Sequence, residues 1–187
     1  MKLILGSASP RRLEILKQAN IVPVKIIPAD IDEEPKAGEL PIKYCERIAL
    51  EKVNAISGGA DEIILTADTT VSVGRRIMGK PKDPDEAIKF LKLLSGRRHK
   101  VITAIAVKNA QKIKNKSVIS SVKFKNLSSH DIDYYISSGE WKGKAGGYAI
   151  QGLGSEFIPW ISGSYSGVVG LPIAQTISLL KSLGWTP

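Results

Sequence analysis

The chain of 187 residues has a single cysteine, Cys45, only two histidines, and aromatics at 6% of its length. One thiol cannot close an internal bridge, so a disulfide-framed secreted domain is excluded and a reducing, cytoplasmic setting is expected. The same scarcity removes zinc-finger and iron–sulfur readings, because thiolate and imidazole ligands are missing. His99 and His130 stand apart, so any metal would be a hard cation held by carboxylates, which suits magnesium or manganese. No apolar run reaches the roughly 18–20 residues of a membrane span. Met1 to Gly6 is too short for a signal-peptide core, and no membrane partner is expected. Internal repeats, low-complexity stretches and long Pro/Gly/Ser linkers are also absent, so residues 1–187 read as one domain.

What is present alternates helix and strand. Leu3 to Leu5 reads as a buried strand, followed by Ser9 as N-cap and Pro10 as first residue of a helix to about Lys17. Pro41 opens a second helix, with Ile42, Cys45, Ile48, Ala49 and Ile56 at helical spacing, Lys52 among them, and Gly58 with Gly59 as its stop. Glu62 to Asp68 is an apolar run ending in a carboxylate, which predicts a strand buried on both faces with Asp68 at its C-terminal end. Thr70–Val73 and Arg76–Met78 flank Gly74 and Arg75 as a hairpin. Asp83 with Glu86 predicts a capping box for a helix to Ser95. Lys100–Lys108 is a further apolar strand, and Val118, Val122 and Phe124 alternate with polar residues as on a sheet with one wet face. Ser128 to Asp131 caps a helix holding Tyr134 and Tyr135, and Pro172 starts a last helix ending at Gly184. Residues 139–170 carry no clear periodicity. The class is α/β with a mixed sheet.

The formal charge is +9, and it is uneven: Ala87 to His130 holds eleven Lys or Arg and no Asp or Glu, while Asp30, Asp32, Glu33, Glu34 and Glu39 crowd one early stretch. Such a basic region can bind nucleic acid, attract a polyphosphate or simply solvate a surface. Nucleic acid is the weakest of these readings, because only Phe124 interleaves the Lys108–Lys125 cluster and stacking platforms are lacking.

Several motif readings fail on one residue. Gly74 to Pro81 nearly spells a phosphate-binding P-loop, but Pro81 stands where a Ser or Thr hydroxyl must meet magnesium. Gly152-Leu153-Gly154 is too short for a dinucleotide fingerprint, and Gly163 to Gly167 puts Tyr165 where a nucleophile elbow needs serine. Gly6-Ser7-Ala8-Ser9-Pro10-Arg11-Arg12 is stronger. Small residues let a backbone approach an anion, a helix start offers free N–H groups, and two arginines add fixed charge. Ser7, Ser9 and Arg11 then read as phosphate ligands, against the alternative of an ordinary Ser-Pro cap with two solvated arginines. Asp68-Thr69-Thr70 after an apolar run can bind a divalent cation or take a proton from water, or can simply form a turn. Glu33 or Glu34 would complete a metal site, unless that acidic loop is only solvated. Lys52 and Lys80 say nothing individually.

Taken in order, Ser7 to Arg12, Ala67-Asp68-Thr69, Gly79-Lys80-Pro81, Lys144 to Gly152, and Gly163-Ser164-Tyr165 with Val168 to Pro172 resemble the Maf family of nucleoside triphosphate pyrophosphatases. The match covers nearly the whole chain. Tyr148-Ala149-Ile150-Gln151-Gly152 is similar to the branch acting on dTTP and UTP rather than on 7-methyl-GTP. The resemblance implies an elongated, bent mixed sheet flanked by helices around a central cleft, similar to inosine triphosphate pyrophosphatases. It implies cleavage between the α- and β-phosphates in a nucleotide-pool housecleaning role, a divalent cation, and a homodimer. By position it implies Asp68 as proton acceptor, Arg12, Thr69 and Gln151 as setting substrate choice, and Lys52 and Lys80 near the phosphates. Glu33 with Asp68 would hold the metal, and Glu34 is the neighbouring alternative. The family is also associated with arrest of cell division through a partner, which stands as the second reading.

Overall fold

The long apolar run at residues 62–73 organises the molecule, and the computed structural model describes residues 1–186 around it. In chain order the strands are β1 (Lys2–Leu5), β2 (Lys25–Ile26), β3 (Glu62–Val73), β4 (Arg76–Met78), β5 (Arg98–Lys108), β6 (Ile113–Lys123) and β7 (Trp160–Ser162). The helices are α1 (Pro10–Gln18), α2 (Pro41–Ala55), α3 (Pro84–Leu94), α4 (Ser129–Ser138), α5 (Tyr165–Val169) and α6 (Ile173–Lys181). Seven strands form one sheet in the order β2-β1-β3-β5-β6-β7, with β4 also on β3. The β1–β2 and β1–β3 pairs are parallel and the others antiparallel, so the expected α/β mixed sheet flanked by helices is borne out.

Side chains alternate across a strand, and along β3 that alternation assigns two environments. Ile63, Leu65 and Ala67 pack in one buried cluster with Ile15 and Leu16 of α1 and Leu180 of α6. Ile64 joins a second cluster with Cys45, Ala49 and Val53 of α2. A third, at the β4 end of the sheet, gathers Val71, Met78, Leu91, Phe124, Tyr135 and Phe157 under α3 and α4.

Asp68 does not end its strand. β3 runs unbroken through Asp68-Thr69-Thr70 into the hairpin, because β5 pairs it continuously from Ile64 to Ser72. Along its other edge β3 is paired by β1 only from Glu62 to Leu65 and by β4 only from Val71 to Val73. The stretch 66–70 therefore faces a notch in the sheet, at the carboxyl end of β1.

Other local expectations change in detail. α2 stops at Ala55, with Ile56 extended, before the glycine pair. Asp83 accepts from the Glu86 N–H, but the Glu86 carboxylate accepts from Lys82, so the expected reciprocal box is displaced by one residue. Ser128 and Asp131 do form the reciprocal box on α4. Residues 139–170 contain two short 3-10 turns, β7 and the five-residue α5.

Candidate active site

The turn after β1 begins at Gly6, whose amide donates to the Leu65 carbonyl at 2.7 Å as the last rung beside β3. A Cβ on Gly6 would stand 2.5 Å from the Thr66 methyl and 2.6 Å from Ile56, so only glycine lets the chain leave the sheet this closely. It then runs into α1. Ser9 occupies the N-cap position but its hydroxyl makes no capping bond, contrary to the cap expected of it. The first-turn N–H groups of α1 are left without a side-chain partner, which is the arrangement that receives anions. The Ser9 amide instead donates to the Ser7 hydroxyl at 3.2 Å.

Around this turn lies a cavity of about 350 Å³, and Ser7, Ser9, Arg11, Arg12, Glu33, Lys52, Asp68, Thr69, Lys80 and Gln151 all line it. Residues far apart in sequence are thus brought to one place. Glu34 does not line the cavity; its carbonyl accepts from Arg47.

On the α2 face, Lys52 and Asp68 are almost fully buried. The Lys52 ammonium sits 3.0 Å from Asp68 Oδ1 and 2.9 Å from Glu33 Oε1. The Thr70 hydroxyl donates to Asp68 Oδ2 at 3.2 Å. Thr66, on the same face, is satisfied by the Ala49 carbonyl at 2.8 Å. Cys45 lies beneath, its thiol 3.4 Å from the Asp68 carbonyl, and burial with the Asp68 charge pushes it up to about 12. It stays a protonated, inert thiol.

On the opposite face, Arg12 is pinned at three points: Nε donates to the Gly170 carbonyl at 2.9 Å, Nη1 to Ser7 Oγ at 2.9 Å, and Nη2 to Thr69 Oγ1 at 3.4 Å. Burial lowers the Arg12 guanidinium, an effect opposed by the charge of Asp68. Thr69 is held in turn 3.1 Å from Thr103, whose hydroxyl donates to Gly167. Asp68 and Thr69 are adjacent in sequence yet serve opposite faces of the sheet, and the notch at 66–70 lets both face one cavity.

Five cationic side chains, Arg11, Arg12, Lys52, Lys80 and Lys144, oppose two carboxylates in this lining. Lys144 went unassigned in the sequence because it is one lysine among many. Burial, then the charge of Arg11, lowers its ammonium, opposed by Glu140. Among the described residues no three His, Cys, Asp or Glu side chains converge as a self-sufficient metal site. Glu33 and Asp68, which already share one ammonium between them, fit a hard cation whose other ligands come from a phosphate substrate.

Tyr148, which the sequence offers only as part of the motif around Gln151 and without a role of its own, also lines the cavity. Its hydroxyl lies 2.7 Å from His99 Nε2, while His99 Nδ1 is buried without a partner. Burial holds His99 down to about 4. Between that value and the ordinary ~6.5 of an unfolded histidine, the unfolded chain binds the proton and the folded chain does not. The stabilising contribution is therefore complete above about pH 6.5 and is lost as pH falls toward 4, by roughly 3 kcal/mol in total. His99→Gln keeps a partner for Tyr148 and cannot titrate. Its unfolding free energy should fall less between pH 7 and pH 4.5 than that of the parent; equal slopes would mean that His99 charges normally in the folded protein.

A family model described as Maf-like protein matches residues 2–183. The chain is 58% identical over 184 residues to a dTTP/UTP pyrophosphatase of Cereibacter sphaeroides, covering 98% of this chain and 96% of that protein. It is 57% identical to a dTTP/UTP pyrophosphatase of Roseobacter denitrificans, covering 97% of each. A nucleoside triphosphate pyrophosphatase of Anaplasma phagocytophilum is 49% identical, covering 96% of this chain and 94% of that one. Among solved structures, a HAM1 protein from Coxiella burnetii superposes with a TM-score of 0.50 at 17% identity, covering 97% of this chain and 99% of that one, a likeness of fold. Among the described residues no helix is long and apolar enough to cross a membrane.

Proposed function

The chain belongs to the Maf family, and on that premise we propose that its cavity hydrolyses the α–β phosphoanhydride of dTTP and UTP, releasing the monophosphate and pyrophosphate. The observation that supports this reading most is the 3.0 Å Lys52–Asp68 pair, buried at the wall of a cavity in which cations outnumber carboxylates. A triphosphate carries about four negative charges, and such a lining stabilises both its binding and the charge that builds on the transferring phosphorus.

In this reading Lys52 holds Asp68 with one carboxylate oxygen turned to the substrate water. Asp68 takes a proton as the water oxygen bonds to the α-phosphorus. The bond to the bridging oxygen breaks, its electron pair leaves on pyrophosphate, and no covalent intermediate forms. Ser7, Ser9, Arg11, Lys80 and the start of α1 receive the phosphate oxygens. Maf pyrophosphatases are generally metal-dependent hydrolases, and Glu33 and Asp68 would hold the cation here, magnesium or manganese. When bound it would neutralise triphosphate charge and polarise the scissile phosphate.

Arg12, Thr69 and Gln151 set the choice of base. The Gln151 carboxamide can donate to and accept from the O4/N3 edge of uracil or thymine, and the amino group of cytosine breaks that pairing. The Arg12 and Thr69 side chains, fixed by Ser7, Gly170 and Thr103, leave little freedom to accommodate another base. Base-modified pyrimidine nucleotides would share the edge, which fits a cytoplasmic role in clearing the nucleotide pool.

The test is a panel of nucleoside triphosphates with magnesium or manganese, reading pyrophosphate against orthophosphate. Pyrophosphate with monophosphate is expected, fastest for dTTP and UTP, and Gln151→Ala should cut the preference for UTP over CTP by about ten- to hundredfold. Orthophosphate as the product would refute α–β cleavage. An equal loss on every nucleotide in Gln151→Ala would refute base reading by that residue.

A further inference from the structure

Gln151 lies in the segment without periodicity, between two glycine-containing 3-10 turns, so something must hold its backbone in place. Two side chains outside the cavity do so. Tyr135 of α4 is fully buried. Its hydroxyl accepts from the Ala149 amide at 3.1 Å and donates to Glu140 Oε1 at 3.0 Å. Glu140 Oε1 also accepts from the Gly154 amide at 3.1 Å, and Oε2 from the Leu153 amide at 2.8 Å. The clamp therefore grips the backbone two residues before Gln151 and two and three residues after it.

The fit is close enough to restrict the intervening residue. A Cβ on Gly152 would fall on the Glu140 carboxylate, so glycine is required there for the clamp to close. Burial, followed by the charge of Glu140 and the hydrogen bond to it, raises the Tyr135 phenol, so it remains a donor at neutral pH. An ionised carboxylate that accepts three hydrogen bonds is a stiff anchor, because each bond is charge-assisted. Neither Tyr135 nor Glu140 lines the cavity.

We propose that the Tyr135–Glu140 pair is the positioning device for nucleotide choice, holding Gln151 at the base while taking no part in phosphate chemistry. The proposal rests on the reading of Gln151 as the base-reading residue. Gln151 is exposed, so the clamped backbone sets where its carboxamide can reach; with that backbone released, the carboxamide can drift out of register with the base edge and lose the distinction between O4 and an amino group. Loss of the clamp should therefore show in the ratio of kcat/KM for UTP over CTP and in KM for UTP, with kcat on UTP nearly unchanged.

Tyr135→Phe removes one hydroxyl and leaves the ring in the core. It should lower the UTP/CTP ratio by about tenfold or more, with kcat on UTP within about threefold of the parent. In a Gln151→Ala background the same substitution should change the ratio no further, because the residue it positions is gone. Glu140→Gln, which keeps an acceptor oxygen, should lose less selectivity than Glu140→Ala. A structural role alone would lower the melting temperature and the activity on both nucleotides together. If Gln151→Ala collapses the ratio and Tyr135→Phe leaves it unchanged, the clamp is overturned and base reading by Gln151 stands. If Gln151→Ala itself leaves the ratio unchanged, both fall.

Discussion

Asp68→Asn should lower the turnover of every nucleoside triphosphate by about 10³-fold, within the range that a positioned general base contributes. The substitution keeps shape and hydrogen bonding: an amide oxygen can still accept from Lys52, which retains Glu33 at 2.9 Å. It removes the buried carboxylate assigned to take the proton from water, and leaves Glu33 in place. KM should change little, because the loss of one negative charge facing a triphosphate is offset by the loss of a carboxylate ligand of the cation. The unfolding midpoint should stay near that of the parent. The measurement is steady-state pyrophosphate release beside nucleotide binding by calorimetry. Turnover within tenfold of the parent would dismiss Asp68 as base. Binding lost together with turnover would mean that the carboxylate serves to hold substrate rather than to activate water.

The same two-faced strand explains what was legible in the sequence. Helix starts at Pro10, Pro41 and Pro84 were readable because proline fixes φ and forgoes an amide that has no helical partner there. The turn at Gly74-Arg75 was readable because Gly74 sits at a φ of 59°. The length of β3 was not. Asp68-Thr69-Thr70 looks like the polar end of a strand, and what makes it strand interior is supplied from far away. Lys52 neutralises Asp68, Thr103 and Arg12 partner Thr69, and β5 pairs the backbone throughout. Those partners are separated by tens of residues, so no local pattern announces them.

Site residues divide along the same line. Ser7 to Arg12 and Gln151 are recognisable as motifs because backbone and side chain act together within a few residues. Lys144 and Tyr148 fall within the motif around Gln151 but their residue types suggest no role; a lysine and a tyrosine become cavity lining only once residues 139–154 fold back over β3 and α3. That fold-back is tied to the β4–α3 connection by Gly146, whose amide donates to the Gly79 carbonyl at 2.9 Å. It is tertiary structure without periodicity, and composition could show only that the segment was rich in glycine and serine.

Lys52→Met should separate the charges that this arrangement holds together. Lys52 is 8% exposed, and its ammonium is the one cation between Asp68 and Glu33. Without it, Asp68 keeps only the Thr70 hydroxyl, and a buried carboxylate is left uncompensated. Breaking an enclosed ion pair costs roughly 3–5 kcal/mol; here about 2–3 kcal/mol is expected, since the cavity admits water and Glu33, 39% exposed, can turn outward. Activity should fall by about 10²–10³-fold, because both the alignment of Asp68 and one phosphate cation are lost. Manganese binding to the nucleotide-free protein should tighten, as two carboxylates no longer share an ammonium. The double variant Lys52→Met/Asp68→Asn should recover most of the lost stability while recovering no turnover, since it removes the uncompensated charge but not the need for a base. Chemical unfolding, titration with manganese and pyrophosphate release measure the three effects separately. If the double variant is no more stable than Lys52→Met, the lysine acts through packing of its aliphatic stem rather than through its charge.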